Sequence, residues 1–431
     1  MTTGVEAVAA RPARNLRWGL VFLMFGIAAV SYLDRNNISI AASAIQKEFG
    51  LSDVQLGVVF SAFVMGYAFS QPFAGRLADR FGPYKVVAIG IVWWSVFTAA
   101  TAMVPSGAVW SLSVLIAMRF ILGVGESVIF PASNRLVANW VPTRERGVAN
   151  GVIFAGVGIG AGVAPPLITY ITVNHDWRWA FFVSALIGVV ALAVWLLGAR
   201  DHPQNHPWAS QAERDYISAG VASAAATEAK PAPWMTILKN RHLAALTLSY
   251  FCYGYVAYIF FTWFFKYLSS VRGLDLKASA LYAMLPFIAM AICSPLGGFI
   301  ADKLTARHGR RVGRVGVAVF ALVLAAVFVA VATQVQDARV ACIVLAGGAG
   351  ALYLSQSAYW SVSADIGGAS AGSVSGVMNM GNQIGGVVTA SLTPFLANQF
   401  GWSASFLAAA GIALVGGLAW LLVDPDEKLQ A

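Results

Sequence analysis

Apolar residues run along this chain in long blocks, separated by short polar stretches that carry Gly, Pro and most of the charges. A run of about 17 to 25 predominantly apolar residues is enough to cross a bilayer as a helix. Twelve such blocks are present, at 18–42, 54–74, 84–104, 110–132, 147–170, 178–198, 242–268, 280–301, 313–333, 338–361, 371–396 and 402–423. Hydrocarbon offers backbone N–H and C=O groups no water to bond, so each block is predicted to be a helix. The expectation is an all-α integral membrane protein with twelve transmembrane helices. The first block is too long for a signal-peptide core and lacks a small-residue cleavage site, so it is expected to remain as the first helix.

One polar connection is longer than the rest. Residues 199–241 carry Pro203, Pro207, Pro231 and Pro233 in a mixture of Ala, Ser, Glu and Lys, after six blocks and before six more. The predicted organisation is therefore an N-terminal tail (1–17), a six-helix bundle (18–198), a linker (199–241), a second six-helix bundle (242–423) and a C-terminal tail (424–431). The two halves repeat. An offset of 223 places PFAGRLADR (72–80) on PLGGFIADK (295–303), matching Pro72 with Pro295, Gly75 with Gly298 and Asp79 with Asp302. An offset of 225 matches Gly147, Gly151, Gly156 and Gly160 with Gly372, Gly376, Gly381 and Gly385. Six is even, so both halves enter the membrane from one side and the repeat is parallel. Parallel repeats of this kind place a substrate site at their interface near the bilayer midplane, reached alternately from each side by rocking. The repeated glycines are spaced for close helix packing.

Composition agrees with the pattern: 58% of residues are hydrophobic and 11% charged, against about 25% charged in a soluble domain. The net charge of +9 would suit a nucleic-acid binder, but its distribution follows the positive-inside rule instead. With a cytoplasmic N-terminus, inner loops and tails hold 20 of the 28 Lys and Arg, and the outer side holds Lys47, Arg178, Lys266, Arg272, Lys277 and Arg339. The distribution predicts that both termini are cytoplasmic, and a bacterial inner membrane is the expected location. The three cysteines lie in predicted spans without CxxC spacing, and no His pair has ligand spacing in a span, so neither disulfide nor metal is expected. Nucleotide-binding fingerprints are absent, so the energy source would be a proton gradient and no cofactor is expected. No nucleophile–base pair points to an enzyme.

GRLADRFG (75–82) ends the second block, with Lys85 following. Asp79 there can cap the amino end of the third helix, or pair with basic residues of neighbouring loops such as Arg144 and Arg146 in PTRERG (142–147). Either way Gly75, Asp79, Arg80, Arg144, Arg146 and Asp302 form a candidate cytoplasmic latch that breaks when a cavity opens inward. The motif G-x-L-x-D-R-x-G, its weaker copy around Asp302, the twelve blocks and the long central connection resemble the major facilitator superfamily over essentially the entire chain. The resemblance implies the fold of that family, two pseudo-symmetric six-helix bundles. Pro83 and Tyr84 stand where the family motif usually shows basic residues.

Four charges fall well inside spans: Asp34, Arg35, Arg119 and Glu126. A lone charge at a helix centre costs about 2.5 to 3.5 kcal/mol on insertion scales, so these four point to a wet cavity, to mutual pairing and to function. Arg119 and Glu126 are seven residues apart, on one face of a helix and about 10 Å apart along its axis, so they do not pair directly. Asp34 and Arg35 are consecutive and point about 100° apart. A crosswise closure, Asp34 with Arg119 or Glu126 near Arg35, is the expectation. Arg offers a carboxylate a permanent bidentate fork, and a carboxyl shielded from water can take up and release a proton. Together they suggest an anion held by Arg and a proton carried by Asp or Glu.

SYLDRNN in the first helix, Arg119 and Glu126 in the fourth, and YFCYGYVAYIFFTWFFKYL (250–268) in the seventh are similar to the anion:cation symporter branch of the superfamily. That resemblance implies that Arg35 and Arg119 hold the substrate carboxylate, that Glu126 and Asp34 couple protons, that Tyr32 lines the site, and that Ser357 and Trp360 of SQSAYWSVSAD (355–365) line the cavity. From the repeat itself, Phe154, Val157 and Gly158 correspond to Asn379, Asn382 and Gln383, so three amides share one face of the eleventh helix where its partner is apolar. Buried amides demand hydrogen bonds, and a hydroxylated ligand would supply them. Tyr67, Tyr255 and Tyr258 are further candidates to face the cavity. The expected function is proton-coupled symport of a small organic anion by a rocker switch, acting as a monomer, with a sugar acid such as a hexonate, hexuronate or aldarate as the first reading. Related sugar-acid permeases tend to carry Asn or Gln where this chain has Phe154, Gly156 and Gly158, which keeps aromatic and dicarboxylic acids as alternatives. Export by proton antiport and a transporter-like sensor are the remaining ones.

Overall fold

Each apolar block is helical over most of its described residues in the computed structural model, which describes residues 15–220, 231–264, 267–274 and 281–429. Arg11, Arg14, Lys266 and Lys277 lie outside the described residues. Ten continuous helical stretches are long and apolar enough to cross a membrane, and two of them, Leu281–Ala332 and Ala338–Phe400, each hold two spans. Twelve spans result. In the first half they are Leu16–Ile40, Asp53–Phe81, Pro83–Ala102, Ser111–Glu126 continued by Ile129–Trp140, Arg146–Asn174 and Trp177–Gly198. In the second they are Arg241–Thr262, Leu285–Arg310, Val317–Ala332, Ala338–Leu354 continued by Gln356–Gly367, Ala371–Phe400 and Trp402–Trp420. The linker holds the helix Gln211–Gly220 and the short turn Trp234–Leu238.

The fourth and tenth spans are each broken once. Ser127 and Ser355 mark the breaks, and each hydroxyl donates to the carbonyl three residues back, Val124 at 2.7 Å and Leu352 at 2.6 Å. A serine that back-bonds in this way competes with the helix ladder and bends it. Glu126 immediately precedes the first break and Gln356 immediately follows the second, so both breaks present a polar side chain near the centre of the bundle.

The GRLADRFG motif is helical almost to its end. The second span continues to Phe81, seven residues beyond the apolar block, and stops at Gly82 with φ 88°. Only glycine takes this backbone without strain, and the Asp201 carboxylate occupies the place where a side chain would project. Asp201 then accepts from Tyr84 N at 2.8 Å, which caps the third span. In the second half the equivalent turn comes at Gly309, φ 83°. We call the end of the bundle that carries these two turns the motif face.

The repeated glycines join the halves to each other. A Cβ built on Gly75 would lie 2.0 Å from the Gly372 carbonyl oxygen, and one on Gly298 would lie 2.1 Å from that of Gly147. The second span thus crosses the eleventh, and the eighth crosses the fifth, with backbone against backbone. Gly376 against Gln71 and Gly151 against Ser294 extend the two contacts by one turn each, at 2.4 and 2.5 Å for the same construction. Gly75→Val cannot be accommodated unless the second and eleventh spans part. A cysteine at buried Ser375, protected in the parent protein, is expected to become reactive to a membrane-impermeant maleimide in the Gly75→Val background; continued protection would show that the crossing does not hold the face shut.

Candidate functional site

Arg35 and Glu126 meet near the centre of the first half. Arg35 Nη2 donates to Glu126 Oε2 at 3.1 Å, with the Glu126 side chain wholly buried and that of Arg35 15% exposed. The guanidinium is also enclosed by rings, 4.4 Å from Tyr67, 4.5 Å from Tyr32 and 5.0 Å from Phe63, a cation–π cage that offsets part of its lost hydration. Of the two crosswise pairings, this one forms.

The other does not. Arg119 is 2% exposed, no carboxylate approaches it within 4 Å among the described residues, and its Nε and Nη1 have no hydrogen-bond partner. Its guanidinium stands 4.7 Å from Phe63, the ring that Arg35 also approaches, at 5.0 Å. Asp34 is turned about 100° from Arg35 into the interior of the first half. There Oδ2 accepts from Thr98 Oγ1 at 2.7 Å and Oδ1 from Asn37 Nδ2 at 3.2 Å, while Asn37 also donates to Ser184 at 2.7 Å. Neutral donors on the first and third spans satisfy this carboxyl, and neither Thr98 nor Ser184 carries a sequence signal that sets it apart from ordinary small polar residues in spans.

A narrow cavity lies between the halves. Tyr32, Phe130, Phe154 and Val157 wall it on the first half's side, and no cationic side chain lines it directly among the described residues. Arg35 is one ring behind, over Tyr32. On the opposite side the amides Asn379, Asn382 and Gln383 line it as their spacing predicts. Tyr258 lines it too, donating to Gln383 Oε1 at 2.5 Å, and Asn382 donates to Asn379 at 3.3 Å. Trp360, expected to line it, does not; its ring packs on two lining side chains, 5.0 Å from Phe154 and 5.8 Å from Phe130.

Three further expected cavity residues are placed elsewhere. Tyr255 is fully buried and faces the eleventh span away from the cavity, where its carbonyl accepts from Thr389 at 2.6 Å. The cavity face of the seventh span is instead the three-four stripe Tyr250, Tyr253, Ala257 and Phe261, and Tyr255 is two residues, or about 200°, from Tyr253. Ser357 is buried without a partner, because its neighbour Gln356 takes the cavity position just past the helix break. Tyr67 serves as a wall of the Arg35 cage and does not line the cavity. Tyr250, Tyr253, Tyr353 and Gln356 were not singled out in the sequence, although the stripe in YFCYGYVAYIFF carries the first two in helical register.

The motif face is sealed by a pair of equivalent caps. Asp79 accepts from Gly372 N at 2.8 Å, Ser373 N at 2.7 Å and Ser373 Oγ at 2.6 Å, and so caps the eleventh span across the halves. Asp302 accepts from Gly147 N at 3.0 Å and Val148 N at 2.7 Å, and caps the fifth. Neither expected partner of Asp79 is found: the third span is capped by Asp201, and the cation beside Asp79 is Arg135, at 3.9 Å. Arg146 bridges instead to Asp365 of the second half, and Arg314 to Asp302 at 2.8 Å. Arg80 is exposed against Phe81, and Arg144 is half exposed over Tyr216 of the linker helix, so neither belongs to the seal. The linker reaches the seam as well: Ala232 O accepts from Arg76 at 2.6 Å and Ala232 N donates to Ser370 Oγ at 2.7 Å.

Comparison with known proteins agrees with this architecture. Residues 24–390 and 309–431 match the profile of the Major Facilitator Superfamily. The chain is 34% identical to a probable sulfoacetate transporter of Cupriavidus necator over 96% of both chains. It is 31% identical to a hexuronate transporter of Bacillus subtilis over 93% of both. A chloroplastic ascorbate transporter of Arabidopsis thaliana is also 31% identical, over 96% of this chain and 76% of that one. Among solved structures, a proton:xylose symporter has the same fold, with a TM-score of 0.76 at 14% identity over 96% of this chain and 98% of that one.

Arg314 is wholly buried beside Asp302, so removing the acid leaves an unpaired buried cation. Asp302→Ala is expected to cost about 3–5 kcal/mol, read as a lowered Tm of the detergent-solubilised protein. Asp302→Ala/Arg314→Leu should recover part of that loss; a double variant as unstable as the sum of its singles would show that the pair is not coupled.

Proposed function

The chain belongs to the major facilitator superfamily, and on that premise we propose that it is a transporter that carries a small organic anion together with a proton. Residues 18–198 and 242–423 are the two bodies that rock about the cavity, and residues 199–241 link them. The positive-inside distribution of Lys and Arg puts the motif face on the cytoplasmic side. Among the described residues, every hydrogen bond joining the halves lies between the cavity and that face. The conformation is therefore the one closed toward the cytoplasm, the state in which an importer in a bacterial inner membrane loads its cargo.

The observation that carries the reading is the Arg35–Glu126 pair. A substrate carboxylate and the Glu126 carboxylate are rivals for one guanidinium, and both cannot hold it in a site so poorly hydrated. A proton on Glu126 removes the rival, so the anion and the proton enter together and the loaded site gains no net charge. This is a physical basis for symport: neither cargo alone leaves the cage balanced. Arg119 supplies a second positive charge from behind Phe63, and Asp34, held by Thr98 and Asn37, is a second proton site remote from the cavity. The relatives named for sulfoacetate, hexuronate and ascorbate support an organic anion as cargo, a sugar acid among the candidates. The protein acts as a monomer, since cavity and gate are complete within one chain.

Glu126→Gln makes Arg35 permanently available. In proteoliposomes it is expected to abolish uphill accumulation driven by a pH gradient while sparing counterflow exchange of substrate. Equal loss of both activities would refute Glu126 as the coupling group. Arg35→Lys should raise the apparent substrate constant by about tenfold or more, because a point charge replaces a bidentate fork.

A further inference from the structure

Tyr250 has an unusual hydrogen-bond balance. Its hydroxyl oxygen accepts from Gln356 Nε2 at 2.8 Å and from Trp360 Nε1 at 2.9 Å, which uses both lone pairs. Its own O–H then has no acceptor among those neighbours, although the residue is 1% exposed and lines the cavity. Gln356, 3% exposed, also lines the cavity, and its Oε1 has no partner. An orphan donor and an orphan acceptor therefore stand side by side on the second half's wall. Turning the amide over exchanges the two roles and leaves the pair intact, since Tyr250 would then donate to Oε1, freeing an oxygen lone pair and an amide N–H.

A group that both donates and accepts satisfies such a pair, and a carboxylate, which only accepts, does not. The facing wall limits what else the ligand can be. Phe130 and Phe154 stack at 4.8 Å and both lean on Trp360, so the first half offers the cavity rings and Val157, with Tyr32 as its one polar lining side chain among the described residues. A long chain bearing hydroxyls on every carbon would bury several of them against that apolar wall, each unmade hydrogen bond costing about 1–3 kcal/mol. We propose that the substrate is a compact hydroxy acid whose hydroxyl seats between Tyr250 and Gln356 while its carboxylate is held at Arg35. The proposal rests on the anion-transport reading and narrows it to a substrate class, with Tyr250 and Gln356 as the residues that select the hydroxyl and Phe154 as one that limits length.

The test compares acids that differ by one hydroxyl. Binding of propionate, lactate, 3-hydroxypropionate and gluconate to the purified full-length protein is measured by titration calorimetry, with Tyr250→Phe in parallel. At least one three-carbon hydroxy acid is expected to bind about tenfold more tightly than propionate; that ratio should fall toward one in Tyr250→Phe, and gluconate should bind more weakly than the preferred hydroxy acid. The parent protein's ratio stands on its own if the variant does not fold. Propionate binding as tightly as both hydroxy acids, or gluconate binding more tightly than either, overturns the proposal and leaves the transport reading in place. Failure of all four acids to bind likewise overturns the proposal, while the anion-transport reading stands on the Glu126→Gln and Arg35→Lys tests.

Discussion

Arg35 is a guanidinium held inside the membrane, and Glu126 neutralises it, whereas Arg119 has no carboxylate within 4 Å among the described residues. Glu126 ends the first segment of the fourth span, immediately before the break at Ser127. Tyr32, Phe63 and Tyr67 close around the cation, so the pair is stabilised by quadrupoles as well as by its acid. Phe63 is shared between the two arginines, since Arg119 also approaches its ring, at 4.7 Å.

The motif face answers a different requirement, that the closed state be specific and still open. Glycine crossings set the geometry, bringing the second span onto the eleventh and the eighth onto the fifth at backbone contact. Asp79 and Asp302 then cap the helix that crosses their own, each using the free N–H groups and positive end of a helix N-terminus. The same device appears twice because the sequence is a repeat, although the basic neighbours differ: Arg135 comes from the broken fourth span, and Arg314 from the turn after the eighth.

The fold was legible because membrane burial imposes a strong one-dimensional rule. Apolar runs gave twelve helices; their polar extensions, such as 75–81 of the second span, the breaks at Ser127 and Ser355 and the linker helix Gln211–Gly220 were hidden. Part of the site was equally legible: four intramembrane charges stand out against a span composition, and Asn379, Asn382 and Gln383 stand out against their own repeat. Partners were not. Asp79 bonds Ser373, 294 positions away, and helical spacing contains no information about which span lies across an interface. Tyr255 was misplaced for a smaller reason, that tyrosines at 250, 253, 255 and 258 occur all around one helix and only its neighbours decide which face is wet. Gln356 went unnoticed because helix breaks caused by a back-bonded serine look like any other serine in a span.

The two sets of charges also differ in what can replace their bonds, and this difference orders the transport cycle. When the motif face parts, Asp79, Asp302 and the helix N-termini they cap all reach water. Each bond is exchanged for hydration, and because its acceptor is a carboxylate the net loss is about 1.5–3 kcal/mol apiece. Hydration of both partners offsets most of the gross strength of such a seam. The Arg35–Glu126 pair has no such substitute in this closed state, where Glu126 is wholly buried and water does not reach its partner. In the symport proposed above, another anion for Arg35 and a proton for Glu126 separate them without leaving an uncompensated charge. The gate is held by contacts that water can replace, and the site by one that only cargo can replace, so the site and not the gate decides what is carried.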